Sequence, residues 1–123
     1  AESIDYFQRQ AVQFYFTENT SIIADALDNK LQGIIASYPA LKNTIISRIG
    51  ELGKKALELA GVERSNAFAS RDKHEDTLIF FEAQTQDCKN AILYFRGNPS
   101  AESLDKCEGD LGMLENELNT QSK

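Results

Sequence analysis

Apolar residues recur at steps of three and four along nearly the whole chain, and polar interruptions cut that pattern into segments. Ile4, Phe7, Ala11 and Phe14 mark a first helix from about Ser3 to Phe16. The polar run Thr17-Glu18-Asn19-Thr20-Ser21 interrupts it, either as a helix end, where a hydroxyl from Thr20 or Ser21 can cap the turn that follows, or as only a kink. Ile23, Leu27, Leu31, Ile34 and Ile35 then give a second helix one apolar face. Pro39 has no N–H to donate but fits the first turn of a helix, so a third helix is predicted to start near it. Its stripe is Leu41, Ile45, Ile49, Leu52, Ala56 and Leu59, with Gly61 as the left-handed stop.

Residues 62–76 are polar and read either as a loop or as the exposed start of a fourth helix. From Leu78 the pattern is strong: Leu78, Phe81, Thr85, Cys88, Ile92 and Phe95 form a heptad-like seam. Gly97 ends it, Asn98 is placed to cap the next helix, and Pro99 to open it. The fifth helix carries Leu104, Cys107, Leu111, Leu114 and Leu118. The expectation is an all-α, antiparallel bundle of four to five helices, a single domain over residues 1–123.

The cysteines sharpen that picture. Cys88 lies nine residues before Gly97 and Cys107 eight after Pro99. At about 1.5 Å of rise per residue both sulfurs fall roughly 12–13 Å from the turn, at nearly equal height. Both occupy seam positions, so a Cys88–Cys107 disulfide stapling the last two helices is expected. The alternative is a pair of unpaired core thiols. A disulfide, together with a chain that starts at Ala1, would point to a secreted or periplasmic protein.

Charge excludes some classes. The net charge is −6 and the pI about 4.8, with no basic stripe to neutralise phosphates, so no nucleic-acid partner is expected. No apolar run approaches the ~20 residues of a transmembrane helix. Residues 40–64 hold five basic and three acidic groups and residues 100–123 two basic and six acidic, so adjacent packing of those segments would be electrostatically favourable.

Candidate chemistry is sparse. The single histidine, His74, sits within Asp72-Lys73-His74-Glu75-Asp76, where only Asp72 and Asp76 share a helical face. That reads as solvated charge. There is no Gly-x-Ser-x-Gly elbow, and Gly109 and Gly112 stand alone in an acidic helix rather than in a phosphate loop. Glu108 with Asp110 and Glu115 with Glu117 are spaced by two and do not converge on a helix. Neither a metal nor a cofactor is implied, and the chain reads as non-enzymatic.

Aromatics are the most suggestive remaining feature. Tyr6 and Phe16 lie off the main stripe of the first segment, and Tyr94 belongs to a second apolar set with Phe80, Ala83 and Ala91. A helix apolar on two faces is either central or exposes a patch. The leading expectation is a domain that binds another protein, as an adaptor, inhibitor or immunity-type factor would. Tyr6, Phe16 and Tyr94 would make contact, and Asp105, Glu108 and Asp110 would steer a basic partner. A homodimer would also cover the second faces. The rival expectation is a carrier of an apolar small molecule or lipid, its cavity lined by Phe7, Phe14, Phe81 and Phe95.

Overall fold

The computed structural model describes the backbone of residues 2–123 and the side chains of residues 18–123. The chain forms three helices, α1 (Glu2–Glu58), α2 (Gly61–Gly97) and α3 (Ala101–Gln121), in place of the four to five expected. The two anticipated breaks in α1 do not occur, and residues 62–76 are helical and belong to α2.

The reason lies in the register of the apolar positions. Ala24, Leu27, Leu31, Ile34, Leu41, Ile45 and Ala56 are buried, and half-buried Tyr38, Ile49 and Leu52 fill the gaps between them. The steps of three and four run straight past Pro39, so one continuous seam faces the other helices. Pro39 lies within α1 and is exposed. A proline in a helix costs about 3 kcal/mol relative to alanine. Each aliphatic side chain kept in the seam gains ~1.5–3 kcal/mol by burial, so the seam wins. The polar run ending at Ser21 holds no Gly or Pro, and its residues are at most ~0.7 kcal/mol poorer than alanine as helix formers.

Both connections are short and specifically built. Between α1 and α2, Gly61 takes a left-handed φ of 60°, as its position predicts. The Nε–H of Arg64 reaches back to the carbonyls of Ala56 (3.1 Å) and Leu59 (2.8 Å), satisfying the open end of α1. Between α2 and α3, the N-cap is Ser100 rather than Asn98. Ser100 Oγ accepts from the Ser103 N–H and Ser103 Oγ accepts from the Ser100 N–H, each at 3.0 Å, which is a reciprocal capping box. Asn98 instead closes α2, its N–H donating to the Tyr94 carbonyl.

The helices pack antiparallel in sequence order. Phe81, Phe95 and Ile92 of α2 meet Leu31 and Ile45 of α1 and Leu111 and Leu114 of α3, all essentially inaccessible to water. Tyr38 stacks at a tilt on Phe81, with ring centroids 4.8 Å apart. Arg96 anchors the register of α1 against α2 by pairing with both Asp25 and Asp28. Since α3 is only 21 residues long, about 31 Å, it covers part of α1. Beyond it α1 and α2 continue as a two-helix arm, closed by small residues such as the buried Ala56 and Ala67. Most of the basic stretch at residues 40–64 lies on this arm, past the end of α3. Lys42 accordingly pairs with Glu82 of α2 (3.7 Å), not with the acidic last helix.

The expected disulfide is absent. Cys88 and Cys107 are both free thiols, fully buried and not at bonding distance. Equal height along two helices is not sufficient for a bond. A disulfide also needs the two Cβ atoms to come within about 4.5 Å and to point at each other, which depends on each residue's angle about its helix axis and not on height. The thiols fill the seam as small apolar groups, the alternative the sequence left open. With them unpaired, the disulfide argument for an oxidising compartment falls.

Candidate functional site

Where α3 lies against α1, the two helices leave a groove. Its upper part is a recess of about 640 Å³ lined by Ile23, Ala26, Leu27, Lys30, Leu104, Glu108 and Leu111. A second recess of about 330 Å³, lined by Lys30, Gly33, Ile34, Ser37, Glu115, Leu118 and Asn119, continues it. Lys30 borders both and reaches across to Glu115 at 3.9 Å, forming a bridge between α1 and α3 that is about half exposed at each end.

The groove follows from helix periodicity. On α1, Ala26, Lys30, Gly33 and Ser37 are spaced by three and four, one stripe beside the buried seam. On α3, Leu104, Leu111 and Leu118 recur at sevens, buried or half-buried, while Asp105, Glu108, Gly112 and Glu115 form the adjoining acidic stripe. The floor is therefore aliphatic, the α1 wall small, and the α3 wall anionic. A methyl group built on Gly33 or Gly112 would touch nothing within 4 Å. Ile22, one turn before Ala26, is 70% exposed and extends the apolar mouth.

A polar layer lies behind this groove at the α2–α3 interface. Asp110 is buried, its side chain only 8% exposed, with Oδ1 receiving the Lys106 ammonium at 3.1 Å and Oδ2 without a hydrogen-bond partner. Gln84, also buried, donates its side-chain amide to the Asp110 carbonyl at 3.0 Å. Burial first, then the Asp110 carboxylate, pushes the Cys88 thiol up to about 11, and the same two causes in that order raise Cys107. The Lys106 ammonium is held above its ordinary value by its hydrogen bond to Asp110. Both thiols are thus protonated at neutral pH, the weak form of a sulfur nucleophile.

The structure distributes the sequence candidates unevenly. Glu108 lines the groove and Asp105 stands exposed one turn before it. Asp110 turns inward and cannot steer a partner, because helical geometry sets it on the seam side of α3. Tyr94 is exposed on α2, away from the groove lining. Phe81 and Phe95 are packed in the core; Phe81 also borders a 220 Å³ recess with Ile34, Ile35, Tyr38 and Leu114. Tyr6, Phe7, Phe14 and Phe16 lie outside the described side chains. His74 sits on the two-helix arm, and among the described residues no group of three or more His, Cys, Asp or Glu could hold a metal ion. No described helix is long and apolar enough to cross a membrane.

Sequence reading missed Ile23, Leu104, Lys30 and Glu115 as a site, having assigned Ile23 and Leu104 to the core. The helical spacing of Ala26, Lys30, Gly33 and Ser37 beside the apolar stripe was readable, but not that α3 would leave it bare. Comparison with protein-family models, curated proteins and solved structures finds no match.

Proposed function

We propose that this chain is a non-enzymatic helical module that binds another protein, with the α1–α3 groove as its contact face. The observation that carries this reading is an open, aliphatic-floored groove on an otherwise well-packed three-helix body. Apolar grooves between helices are the seats of amphipathic segments from other proteins. The two buried, protonated thiols support a structural role for the cysteines rather than nucleophilic chemistry.

A carrier of an apolar ligand is the second reading, and the recess beside Phe81 is the observation in its favour. At 220 Å³ it falls below the ~300–1,000 Å³ of ordinary ligand pockets, and the larger recesses form an open groove between two helices with a charged wall rather than an enclosed apolar cavity, so protein binding is preferred.

The test is site-specific photo-crosslinking in the native source. A photoreactive side chain at Ile23, Leu104 or Leu118 should give one discrete protein adduct, and the same group at Lys73 or Lys89 should not. Adducts of equal strength from all five positions, or from the two control positions alone, would contradict the groove as the contact face.

A further inference from the structure

The groove has an asymmetry that specifies its occupant. It runs from about Ile23 to Ser37 along α1, a rise of about 21 Å, which is the length of a four-turn helix. Its α1 wall is low, with Ala26, Gly33 and Ser37, so a helix backbone can approach α1 closely. Its α3 wall carries Glu108 and Glu115, and exposed Asp105 continues the same stripe one turn beyond the lining. Residues 101–123 hold six acidic and two basic groups, a net charge of −4 within the chain's −6. Among the described residues, Lys30 is the one cation bordering both recesses, and it is already turned to Glu115 across the gap.

We infer that the occupant is an amphipathic helix of about four turns with a basic flank, seated as a fourth helix between α1 and α3, and that Lys30–Glu115 is the strap it displaces. This rests on the groove being a protein contact face. The incoming helix sets small or aliphatic residues on the aliphatic floor and the low α1 wall, and lays Lys or Arg over Asp105, Glu108 and Glu115. Half-exposed ion pairs contribute little, so the strap yields readily and a cation of the partner takes its place on Glu115. A second copy packed groove to groove fits poorly. The α1 segment it would bring, residues 18–42, carries three acidic and two basic groups, and its own α3 is more acidic still.

The experiment uses three synthetic 16-residue helical peptides sharing one apolar face, with Lys/Arg, Gln or Glu on the flank. Each is titrated against the full chain by fluorescence anisotropy at low and high salt. The basic peptide should bind at least ~tenfold tighter than the acidic one at low salt, and the gap should narrow at high salt. Glu108→Lys should weaken it severalfold. Lys30→Ala should tighten it, because it removes the competing cation and frees Glu115. Both positions are solvent-facing, and circular dichroism checks that each variant keeps its fold. Equal affinity for all three peptides, or weaker binding by Lys30→Ala, would overturn the basic-helix assignment. Failure of all three peptides to bind, alongside discrete crosslinks from the groove positions, would overturn it too while leaving the contact face intact. Concentration-dependent self-association that Leu104→Asp abolishes would replace it with a second copy.

Discussion

The side-chain amide of Gln84 donates to the backbone carbonyl of Asp110 at 3.0 Å, a buried bond across 26 residues of sequence that pins α2 to α3. It lies in the same part of the interface as the two thiols and beside the Asp110 carboxylate, so the least apolar part of the core is also where the short third helix is held.

Gln84→Ala should therefore cost about 1–3 kcal/mol, from the lost hydrogen bond and the space left behind. Gln84→Leu, which refills the volume, should recover most of that loss. The urea midpoint at unchanged slope is the readout. A Gln84→Ala midpoint equal to wild type would mean α3 is not held through this contact.

The thiols predict an alkaline limit to stability. Cys88 is raised from 9.0 to about 11 by burial and Asp110, so the unfolded chain releases this proton before the folded chain does. Its contribution is complete below pH 9 and is lost between about pH 9 and 11, with a slope of up to ~1.4 kcal/mol per pH unit. Cys107 is raised too and adds in the same direction. Equilibrium unfolding at several pH values should show the decline, and Cys88→Ala should flatten it whatever its effect at pH 7. An unchanged slope in that variant would contradict the assignment.

Tyr38 presents the reverse case. Its ring packs on Phe81, but its hydroxyl is buried without a hydrogen-bond partner. Removing an unsatisfied buried hydroxyl is neutral or favourable, so Tyr38→Phe should leave Tm unchanged or raise it by the equivalent of about 1 kcal/mol. A clear loss of stability by calorimetry would show that the hydroxyl has a partner.

Pro39 interrupts no seam, only one backbone hydrogen bond, and its side chain is exposed. Pro39→Ala should stabilise the protein by about 1–3 kcal/mol, visible as a higher thermal midpoint. Destabilisation would indicate that proline's fixed φ is needed for a turn at this place.

What was legible in the sequence follows from range. The seam residues Leu31, Ile45, Phe81, Phe95, Leu111 and Leu114 were readable because helical periodicity is local, and Gly61 because a left-handed turn is a one-residue property. The helix count failed at Pro39 and Thr17–Ser21, where local breaking tendencies lost to a seam that only a partner helix makes valuable. Tyr38 was the missed clue, since it joins Ile34 to Leu41 at the right spacing. The disulfide failed because height along a helix does not fix lateral distance. The groove was not legible because it depends on where α3 stops and which face of α1 it leaves bare; Glu108 was chosen for its charge, without the aliphatic floor beside it.

All of this depends on α1 being one helix, because a chain that turned back at Pro39 would lay a further helix into the groove. Nitroxide labels on Ser21→Cys and Lys54→Cys, both exposed positions of α1, test this by pulsed dipolar spectroscopy. The native thiols are fully buried, and unlabelled at both sites the parent protein serves as the control. With the labels 33 positions apart and about 1.5 Å of rise per residue, the distance distribution should centre near 50 Å. A main population below ~35 Å, the separation of helices folded back on each other, would contradict the unbroken α1 and with it the open groove.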